Sequence, residues 1–200
     1  LLLGELLPQN SIRVTTKIDE FAAPEITSDF LKMAESRLLK SLSNLRRDSL
    51  YAVLLHGSRD LLKPGADRLY RLLEQLKVDG VVAKIGVSVY SPSELINILD
   101  RYSIDIAQIP LNIYDQRFIS TGCLSKLKKI HNIEFQARSI FLQGLLLMSP
   151  NLLPSNLVSV KSHHQAVGKI LERCGRTMFE EAVNYVEQFK DIDIGIYVVT

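Results

Sequence analysis

Two side chains that can take part in catalysis stand at the ends of consecutive β-branched or apolar runs. Lys17 lies near the end of the run Ser11–Ile18, and His56 directly follows the apolar run Tyr51–Leu55. A lysine at the end of a strand is either a solvated cap or a catalytic cation, and a histidine there is either a buried structural group or a catalytic one. Because the active site of a β/α barrel lies at the C-terminal ends of its strands, we take Lys17 and His56 as the candidate catalytic residues.

The elements that would position these residues are six short runs separated by amphipathic helical stretches. The runs span residues 11–18, 51–57, 84–89, 104–109, 134–139 and 192–200. Strands that alternate with helices predict a parallel sheet. We therefore predict the α/β class and a (β/α)8 TIM barrel, of which this chain contributes about six of the eight strand–helix units. An open doubly wound sheet is the alternative fold, although no Gly-x-Gly-x-x-Gly motif follows any of the runs.

Regularly spaced apolar residues predict the helices that cover the sheet. The segment Asp29–Leu42 has apolar residues at four-residue spacing, and a second stripe ends before Gly80, which is typical of a helix C-terminus. Ser91–Glu94 and Thr177–Glu180 have the capping-box pattern that begins a helix. We interpret the stripes as core-packing faces and not as cofactor sites. Their members are Phe30, Ala34, Leu38 and Leu42; Leu69, Leu72, Leu73 and Leu76; Leu95, Ile98, Leu99 and Tyr102; and Ala182, Val183 and Val186.

Composition narrows the class of protein. Of the 200 residues, 46% are hydrophobic and 23% are charged, which is ordinary for a packed globular chain. The net charge of +2 predicts no nucleic-acid partner, and the apolar runs are too short to predict a membrane span. No linker is visible, which predicts a single domain over residues 1–200. Since Leu1–Leu7 reads as the end of a helix and the last run stops inside a strand pattern, we expect this domain to be incomplete at both ends.

The cysteines and three of the histidines show no metal-site pattern, and no metal site is predicted. Cys123 and Cys174 lie far apart and lack a Cys-x-x-Cys partner, so we expect two buried structural thiols and a cytoplasmic protein. His131, His163 and His164 lie in helical or loop segments without metal-ligand spacing. We interpret the adjacent pair, His163 and His164, as part of a solvated helix surface.

Polar residues also follow two of the later runs. Gln108 lies among apolar neighbours and is expected to point into the mouth of the barrel, where its amide needs a partner such as a ligand carboxamide or the backbone. The polar residues that follow it are Asn112, Asp115, Gln116 and Arg117. Arg138 and Ser139 end the run that begins at Glu134. An arginine in that position needs an acidic side chain or a ligand anion as its partner.

Five of these strand ends, taken in order, resemble those of the aldo/keto reductase superfamily. The matching motifs are Val14-Thr15-Thr16-Lys17, Leu55-His56-Gly57, Lys84-Ile85-Gly86-Val87-Ser88, Gln108 with Pro110-Leu111-Asn112, and Arg138-Ser139 with Leu142-Gln143-Gly144-Leu145-Leu146. The similarity covers essentially the whole chain. It implies a β/α barrel that binds a nicotinamide dinucleotide, usually NADPH, and reduces aldehydes and ketones.

The resemblance also implies roles for individual residues. Lys17 and His56 match two members of the family's Asp–Tyr–Lys–His tetrad. On this interpretation Lys17 lowers the pKa of the proton-donating tyrosine, and His56 orients the substrate carbonyl. The residues that match cofactor-binding positions are Ser88 and Gln108 at the nicotinamide carboxamide, Arg138 where many members place an aromatic that stacks on the nicotinamide, and Ser139 and Gly144 at the loop near the pyrophosphate.

Three features of this sequence depart from the family pattern. The family's aspartate and tyrosine would precede Leu1, and neither Tyr51 nor Tyr114 stands at the position of that tyrosine. The segment that binds the adenosine phosphate would follow Thr200. Val89 replaces an asparagine that often accompanies the serine, so fewer contacts to the carboxamide are expected.

The sequence thus predicts an NAD(P)H-dependent aldo/keto reductase that reduces a small-molecule aldehyde or ketone with NADPH or NADH. The first alternative is a non-catalytic barrel subunit that retains the cofactor and acts as a regulatory partner. The second is an aldolase that uses Lys17 as a Schiff base. The apolar stretch 145–160 forms either a wall of the substrate pocket or a surface that packs against a neighbouring subunit in a homo-oligomer.

Overall fold

The computed structural model describes residues 2–6 and 12–198, along which strands and helices alternate. The strands are β1 (Thr15–Ile18), β2 (Leu50–Leu55), β3 (Val82–Ser88), β4 (Ile106–Pro110), β5 (Glu134–Arg138) and β6 (Ile194–Gly195). The helices are α1 (Leu2–Leu6), α2 (Ser28–Leu45), α3 (Ala66–Val78), α4 (Pro92–Leu99), α5 (Arg117–Ser120), α6 (Cys123–His131), α7 (Lys161–Arg173) and α8 (Met178–Glu187). Short 3₁₀ segments cover Ser58–Leu62, Leu145–Leu147, Pro150–Leu152 and Ser155–Val160. Of the helices described, none combines the length and the apolar character that crossing a bilayer requires.

These elements fall into two compact units. The first unit consists of Leu1–Gln108 and Leu127–Glu134, and the second consists of Ile109–Lys126 and Phe135–Thr200. The first change from one unit to the other along the chain, between Gln108 and Ile109, falls inside β4. The expectation of a single domain stays a prediction.

The first unit is built on four parallel strands that pair in the order β1, β2, β3 and β4. The register sets Lys17 opposite Leu54 in the first pair, and Ser88 opposite Gln108 in the last. Because all four strands run in the same direction, their C-terminal ends lie at one edge of the sheet. The candidate residues on these strands therefore share that edge, as the alternation of strands and helices predicts.

The strands β3 and β4 approach each other closely within the first unit. A Cβ atom at Gly86 would lie 2.3 Å from the backbone oxygen of Ile106, so any larger residue would force the two strands apart. Ala52, Leu54 and Ile106 form a buried apolar cluster, against which Tyr51 packs. The lack of a side chain at Gly86 thus allows the tight spacing of β3 and β4.

The predicted helical stripes of the first unit are largely buried. In α2 the whole predicted stripe is buried, and Thr27 caps the helix by accepting a hydrogen bond from the backbone N–H of Phe30. In α3 three of the four predicted leucines are buried, and the fourth, Leu72, is only half-buried. Gly80 follows α3 with a φ of 72°, the left-handed conformation expected after a helix. The stripe predicted from Leu95 to Tyr102 is also buried in full, although α4 itself ends at Leu99.

The second unit contains the parallel pair β5 and β6, and β6 is shorter than expected. The sequence predicts a strand over residues 192–200, but β6 covers only Ile194 and Gly195. One more backbone hydrogen bond follows, from the N–H of Ile196 to the oxygen of Ala137 at 2.9 Å. A β-branched run favours an extended backbone, but a strand also needs continued pairing with its neighbour. Five residues of the predicted elements lie outside the described part of the chain: Leu1, Leu7, Ser11, Val199 and Thr200.

A separate apolar core holds the second unit together. Its buried residues are Leu111, Ala137, Ile140, Phe141, Leu146, Ala182 and Val186. Helix α8 begins with a complete capping box between Thr177 and Glu180, as predicted. The prediction of two buried thiols is wrong for Cys174, which is exposed because α7 ends there and residues 172–177 all lie at the surface. Cys123 is half-buried.

Candidate active site

Lys17 is the third residue of β1, and its ammonium group donates a hydrogen bond to Gln108 in β4. The distance from Lys17 Nζ to Gln108 Oε1 is 2.5 Å. Two strands lie between β1 and β4, so three strand spacings, about 14 Å, would separate them in a flat sheet. A side-chain hydrogen bond across this span therefore requires the sheet to curve, as the sheet of a barrel does.

Ser88 and Gln108 lie side by side at the C-terminal ends of β3 and β4. They are paired in register, and their exposed fractions are 1% and 3%. The N–H of Val89 donates to the backbone oxygen of Gln108 at 3.0 Å, which extends the pairing by one residue. From the sequence, either a ligand or the backbone could be the partner of the Gln108 amide. In the structure the amide oxygen of Gln108 accepts a hydrogen bond from the side chain of Lys17. A neighbouring hydroxyl and amide can supply both donors and acceptors to a polar ligand.

His56 directly follows β2, and its side chain is exposed. Its backbone N–H donates to the oxygen of Ile18 at 2.8 Å, so Lys17 and His56 come from the ends of adjacent, paired strands. A Cβ atom at Gly57 would lie 2.9 Å from the Cα of Glu20, so this glycine allows the segments after β1 and β2 to approach each other. That the side chains of Lys17 and His56 face one cavity stays a prediction.

A buried carboxylate ties the segments that follow β1 and β2. Asp60 is 1% exposed; it accepts a hydrogen bond from the backbone N–H of Phe21 at 3.0 Å and another from Lys63 Nζ at 2.6 Å. Lys63 Nζ also donates to the backbone oxygen of Phe21. Phe21 lies shortly after Lys17 in the sequence, and Asp60 lies shortly after His56. The tie therefore links the two segments that follow the candidate catalytic residues, and no sequence pattern had singled it out.

Glu94 has a different use from the one that its capping-box pattern predicts. The side chain of Ser91 accepts from the backbone N–H of Glu94 at 3.3 Å, which is one half of the box. Among the described contacts, the Glu94 carboxylate is bonded elsewhere: it accepts from Ser58 Oγ at 2.5 Å and from the backbone N–H of Tyr90 at 2.8 Å. Arg59 Nε lies 3.6 Å from it. The prediction is therefore only half right, because the buried carboxylate has partners outside its own helix start.

The second unit holds the remaining predicted cofactor-binding residues. Arg138 ends β5, is half-buried, and donates from Nη1 to Ser139 Oγ at 3.2 Å. Asn112 is fully buried, and its Oδ1 accepts from the backbone N–H groups of Tyr114 and Asp115, each at 2.9 Å. Its Nδ2 donates to the backbone oxygen of Ser139 at 3.0 Å. One amide therefore joins the loop after β4 to the end of β5.

The loop that follows Asn112 also carries an ion pair. Asp115 Oδ2 and Arg117 Nη2 lie 2.7 Å apart. The hydrogen bond from Arg117 holds the pKa of Asp115 below its ordinary value, and the positive charge of Arg138 adds to the effect. The expectation that an arginine at the end of this strand has an acidic side chain or a ligand anion as its partner stays a prediction.

The segment that begins at Ser139 has an unusual backbone. Ser139, Leu142 and Gln143 have φ angles of 58°, 49° and 54°, and Gly144 has a φ of 82°. Left-handed backbone is routine for glycine but costs other residues on the order of 1 kcal/mol each. The backbone oxygen of Ser139 holds the segment by accepting from Asn112 Nδ2 and from the N–H of Leu142 at 2.9 Å. Strained backbone of this kind concentrates at ligand-binding loops, which makes this segment a candidate for one.

The interpretation of the two adjacent histidines of α7 as solvated surface is wrong for His164, which is 3% exposed; His163 is exposed. His164 Nε2 lies 3.0 Å from the backbone oxygen of Met148, which can only accept, so Nε2 carries the proton. Nδ1 then accepts from the hydroxyl of Tyr114 at 2.9 Å. Burial raises the pKa of Tyr114. Within the described residues, no group of three or more His, Cys, Asp or Glu side chains could hold a metal ion.

A second polar cluster lies near the starts of the strands, at the opposite edge from Lys17. Tyr51 donates its hydroxyl proton to Glu134, which also accepts from Lys84 Nζ at 2.5 Å. Burial opposes the charge on Lys84, but the hydrogen bonds to Glu134 and Tyr51 outweigh it, and the pKa of Lys84 is raised. The hydroxyl of Tyr51 is thus engaged at the end of the strands where barrel enzymes do not place their chemistry.

Comparison with known proteins identifies the family. The sequence model of the Aldo/keto reductase family matches residues 2–193, so the chain belongs to this family. The resemblance seen in the five strand ends is thereby confirmed. A search of curated proteins finds no match.

Solved structures of this family share the fold. A glycerol dehydrogenase from Gluconobacter oxydans, AKR11B4, matches 98% of this chain with a TM-score of 0.70 at 21% identity. The holo form of AKR11C1 from Bacillus halodurans matches 99% with a TM-score of 0.72 at 21% identity. An aldo/keto reductase from Klebsiella pneumoniae, in complex with NADP and acetate, matches 93% with a TM-score of 0.62 at 19% identity. The present chain spans 66%, 66% and 59% of those chains, respectively. The predicted α/β class and barrel fold are confirmed by these likenesses.

Proposed function

We propose that the protein carrying this chain is an NAD(P)H-dependent oxidoreductase that reduces a small-molecule aldehyde or ketone. Membership of the aldo/keto reductase family supports this, as does the NADP complex of the Klebsiella pneumoniae relative. The observation that carries the proposal is the hydrogen bond between Lys17 Nζ and Gln108 Oε1. It joins the candidate catalytic cation to the candidate cofactor-binding amide, so proton chemistry and cofactor binding would take place next to each other.

The side chains present fit a nicotinamide dinucleotide. A carboxamide has one acceptor oxygen and two N–H donors, which the buried hydroxyl of Ser88 and the amide of Gln108 can complement. In the second unit we assign Arg138 to stacking on the nicotinamide ring, and Ser139 and Gly144, which have left-handed backbone, to the loop near the pyrophosphate. When bound, the reduced nicotinamide of NADPH or NADH supplies the hydride that the reaction consumes.

Lys17 and His56 are assigned to the proton chemistry of the reduction. Hydride addition converts a carbonyl oxygen into an alkoxide, which needs a proton and nearby positive charge. The ammonium group of Lys17 would lower the pKa of a tyrosine acid beside it. A neutral His56 would donate a hydrogen bond to the carbonyl oxygen and orient it. Gln108 holds Lys17 Nζ in place for this role.

The test replaces Lys17 by methionine in the full-length protein that carries this sequence. Lys17→Met removes the charge but keeps most of the volume of the side chain, so the fold is expected to survive. We expect kcat for aldehyde reduction to fall on the order of 100-fold, by analogy with the loss of one charge-stabilising group from a preorganised site. The affinity for NADPH, measured by fluorescence titration, should change much less. Lys40→Met, which alters an exposed lysine of α2, is the matched control and should leave both quantities unchanged.

Other outcomes would redirect the proposal. Reduction by Lys17→Met at the parental rate would make Lys17 a strand-end cap and remove it from the mechanism. A parental protein that binds NADPH but reduces no carbonyl would favour the regulatory subunit. An adduct trapped by borohydride, without any nicotinamide signal, would favour the aldolase. A cytoplasmic location and packing against a second copy of the chain stay predictions.

A further inference from the structure

Two glutamates occupy the same position in the same helix-start pattern, yet only one caps its helix in full. Glu180 is exposed, and its carboxylate accepts from the backbone N–H and from the hydroxyl of Thr177, each at 2.8 Å. Glu94 has the same spacing from Ser91 in α4, but it is 7% exposed and its carboxylate reaches outside its own helix. Helix capping alone therefore does not account for Glu94.

The Glu94 carboxylate joins two segments, each of which follows a candidate site residue. Oε1 accepts from Ser58 Oγ at 2.5 Å, and Ser58 comes shortly after His56. Oε2 accepts from the backbone N–H of Tyr90 at 2.8 Å, and Tyr90 comes shortly after Ser88. One carboxylate thus holds the turn after His56 against the turn after Ser88.

Burial makes this link persistent. Ser58 is 1% exposed, so water does not readily replace its bond to Glu94. A hydrogen bond to a carboxylate is about twice as strong as one between neutral groups, and loss of either partner would leave a buried polar group unsatisfied. Arg59 adds little, because its side chain is 76% exposed and its Nε lies 3.6 Å from the carboxylate. The two hydrogen bonds therefore dominate the link.

We propose that Glu94 is a positioning residue of the reductase site, which fixes His56 through Ser58 and fixes Ser88 through Tyr90. What His56 and Ser88 do rests on the proposed function, whereas the link itself does not. The two branches separate in their effects. Loss of the Ser58 branch should impair orientation of the carbonyl and lower kcat, and loss of the Tyr90 branch should weaken cofactor binding.

The experiment uses Ser58→Ala, Glu94→Ala, the double variant and Glu94→Gln in the full-length protein, with Glu180→Gln as the matched control. Reduction of 4-nitrobenzaldehyde by NADPH gives kcat and KM, fluorescence titration gives the affinity for NADPH, and hydrogen exchange reports on peptides that cover residues 56–62 and 86–91. We expect Ser58→Ala to lower kcat roughly 10-fold while changing NADPH affinity less than about 2-fold, since a small misplacement of an orienting group mainly costs rate.

Glu94→Ala should lower kcat by a similar factor and also weaken NADPH binding by about 5-fold or more, because both branches are lost. In the double variant kcat should fall no further than in Glu94→Ala, since the two residues act through one bond. Glu94→Gln should recover much of both losses, because its amide can still bond to both partners. Glu180→Gln should match the parent.

Each outcome bears on the proposal. Parental kcat and parental exchange over residues 56–62 in Ser58→Ala would overturn it. A fold-loss of kcat in the double variant equal to the product of the losses in the two single variants would also overturn it, because it would mean that Ser58 and Glu94 act independently. If Glu94→Ala does not fold, Ser58→Ala and Glu94→Gln still decide between these outcomes. A parental protein that neither binds NADPH nor reduces the aldehyde would refute the proposed function, and the positioning role would fail with it. Faster exchange of both segments in Glu94→Ala would even then support the physical link.

Discussion

The two units hold their candidate residues by different means. In the first unit Lys17, Ser88 and Gln108 lie on paired parallel strands, so the register of the sheet sets their positions. Beyond the strand ends, the buried carboxylates of Asp60 and Glu94 tie the loops to one another. The positions of Lys17, Ser88 and Gln108 therefore depend on the pairing of whole strands, to which many residues contribute.

In the second unit a single amide and a strained loop have the same role. The described pairing between β5 and β6 is short, and Asn112 joins the loop after β4 to Ser139. Left-handed residues such as Gln143 persist there only because the surrounding contacts hold them. A change in the first unit should therefore spread along the sheet, and a change in the second should act locally through few groups.

The largest effect should follow from Gly86→Ala in the first unit. The added Cβ would lie 2.3 Å from the backbone oxygen of Ile106 and 2.7 Å from Leu54 Cδ2, and backbone cannot move aside as a flexible side chain can. We expect the free energy of unfolding to fall by about 3 kcal/mol or more, at the upper end of overpacking effects. Urea denaturation measures the loss, and hydrogen exchange should show it along both β3 and β4.

The control for Gly86→Ala is the same chemical change in the second unit. Gly168 lies in the middle of α7, and nothing lies within 4 Å of a Cβ built there. Gly168→Ala should raise the free energy of unfolding by about 0.5–1 kcal/mol, because alanine loses less backbone entropy in a helix. Equal effects of the two variants would show that the close approach of β3 and β4 does not govern the first unit.

A smaller effect is expected from Asn112→Ala, which breaks the link on which the second unit depends. The variant removes three hydrogen bonds from a fully buried site. The N–H of Tyr114 loses this acceptor, whereas the N–H of Asp115 keeps only the longer bond to the backbone oxygen of residue 112, at 3.2 Å. We expect a loss of about 2–3 kcal/mol in the free energy of unfolding, with faster exchange at those two amides. Asn97→Ala, at an exposed position of α4, should stay within about 0.5 kcal/mol of the parent. Slow exchange at both amides in Asn112→Ala would contradict the role of this amide.

Sequence patterns predict the first unit well because its order is periodic. The four-residue stripe from Phe30 to Leu42 is buried in full, and so is the stripe of α4. The strand β3 also lies close to its predicted bounds. The last strand could not be bounded in the same way, because β-branched residues favour extended backbone whether or not a partner strand continues beside them.

The candidate site is predictable only in part, because its polar ties join residues that are distant in sequence. Lys17 and Gln108 could be singled out individually from their strand ends, whereas the bond between them spans 91 positions. No sequence pattern singled out Asp60, and the capping-box pattern predicted that Glu94 bonds within its own helix start and not to Ser58. The hydrogen bond between His164 and Tyr114 likewise joins residues that are 50 positions apart. Such partners are set by tertiary packing, which periodicity does not encode.

The smallest effect concerns the ion pair of Asp115 and Arg117 in the second unit, and it depends on pH. The hydrogen bond from Arg117 holds the folded-state pKa of Asp115 below its ordinary value of 3.8, so the pair contributes stability above that value. This contribution is lost as the pH falls through the lowered pKa and the carboxylate takes up a proton in the folded state. Arg117→Ala should therefore cost up to about 1 kcal/mol near neutral pH, since the arginine is largely exposed, and nearly nothing in strong acid. Urea denaturation of parent and variant between pH 7 and pH 2.5, roughly the range in which an aspartate titrates, measures the difference.

Arg37→Ala in the first unit is the control, because its pair with Asp19 is more exposed and should contribute less than about 0.5 kcal/mol at any pH. A difference that persists unchanged into acid would mean that Arg117 stabilises the second unit by packing and not by its charge.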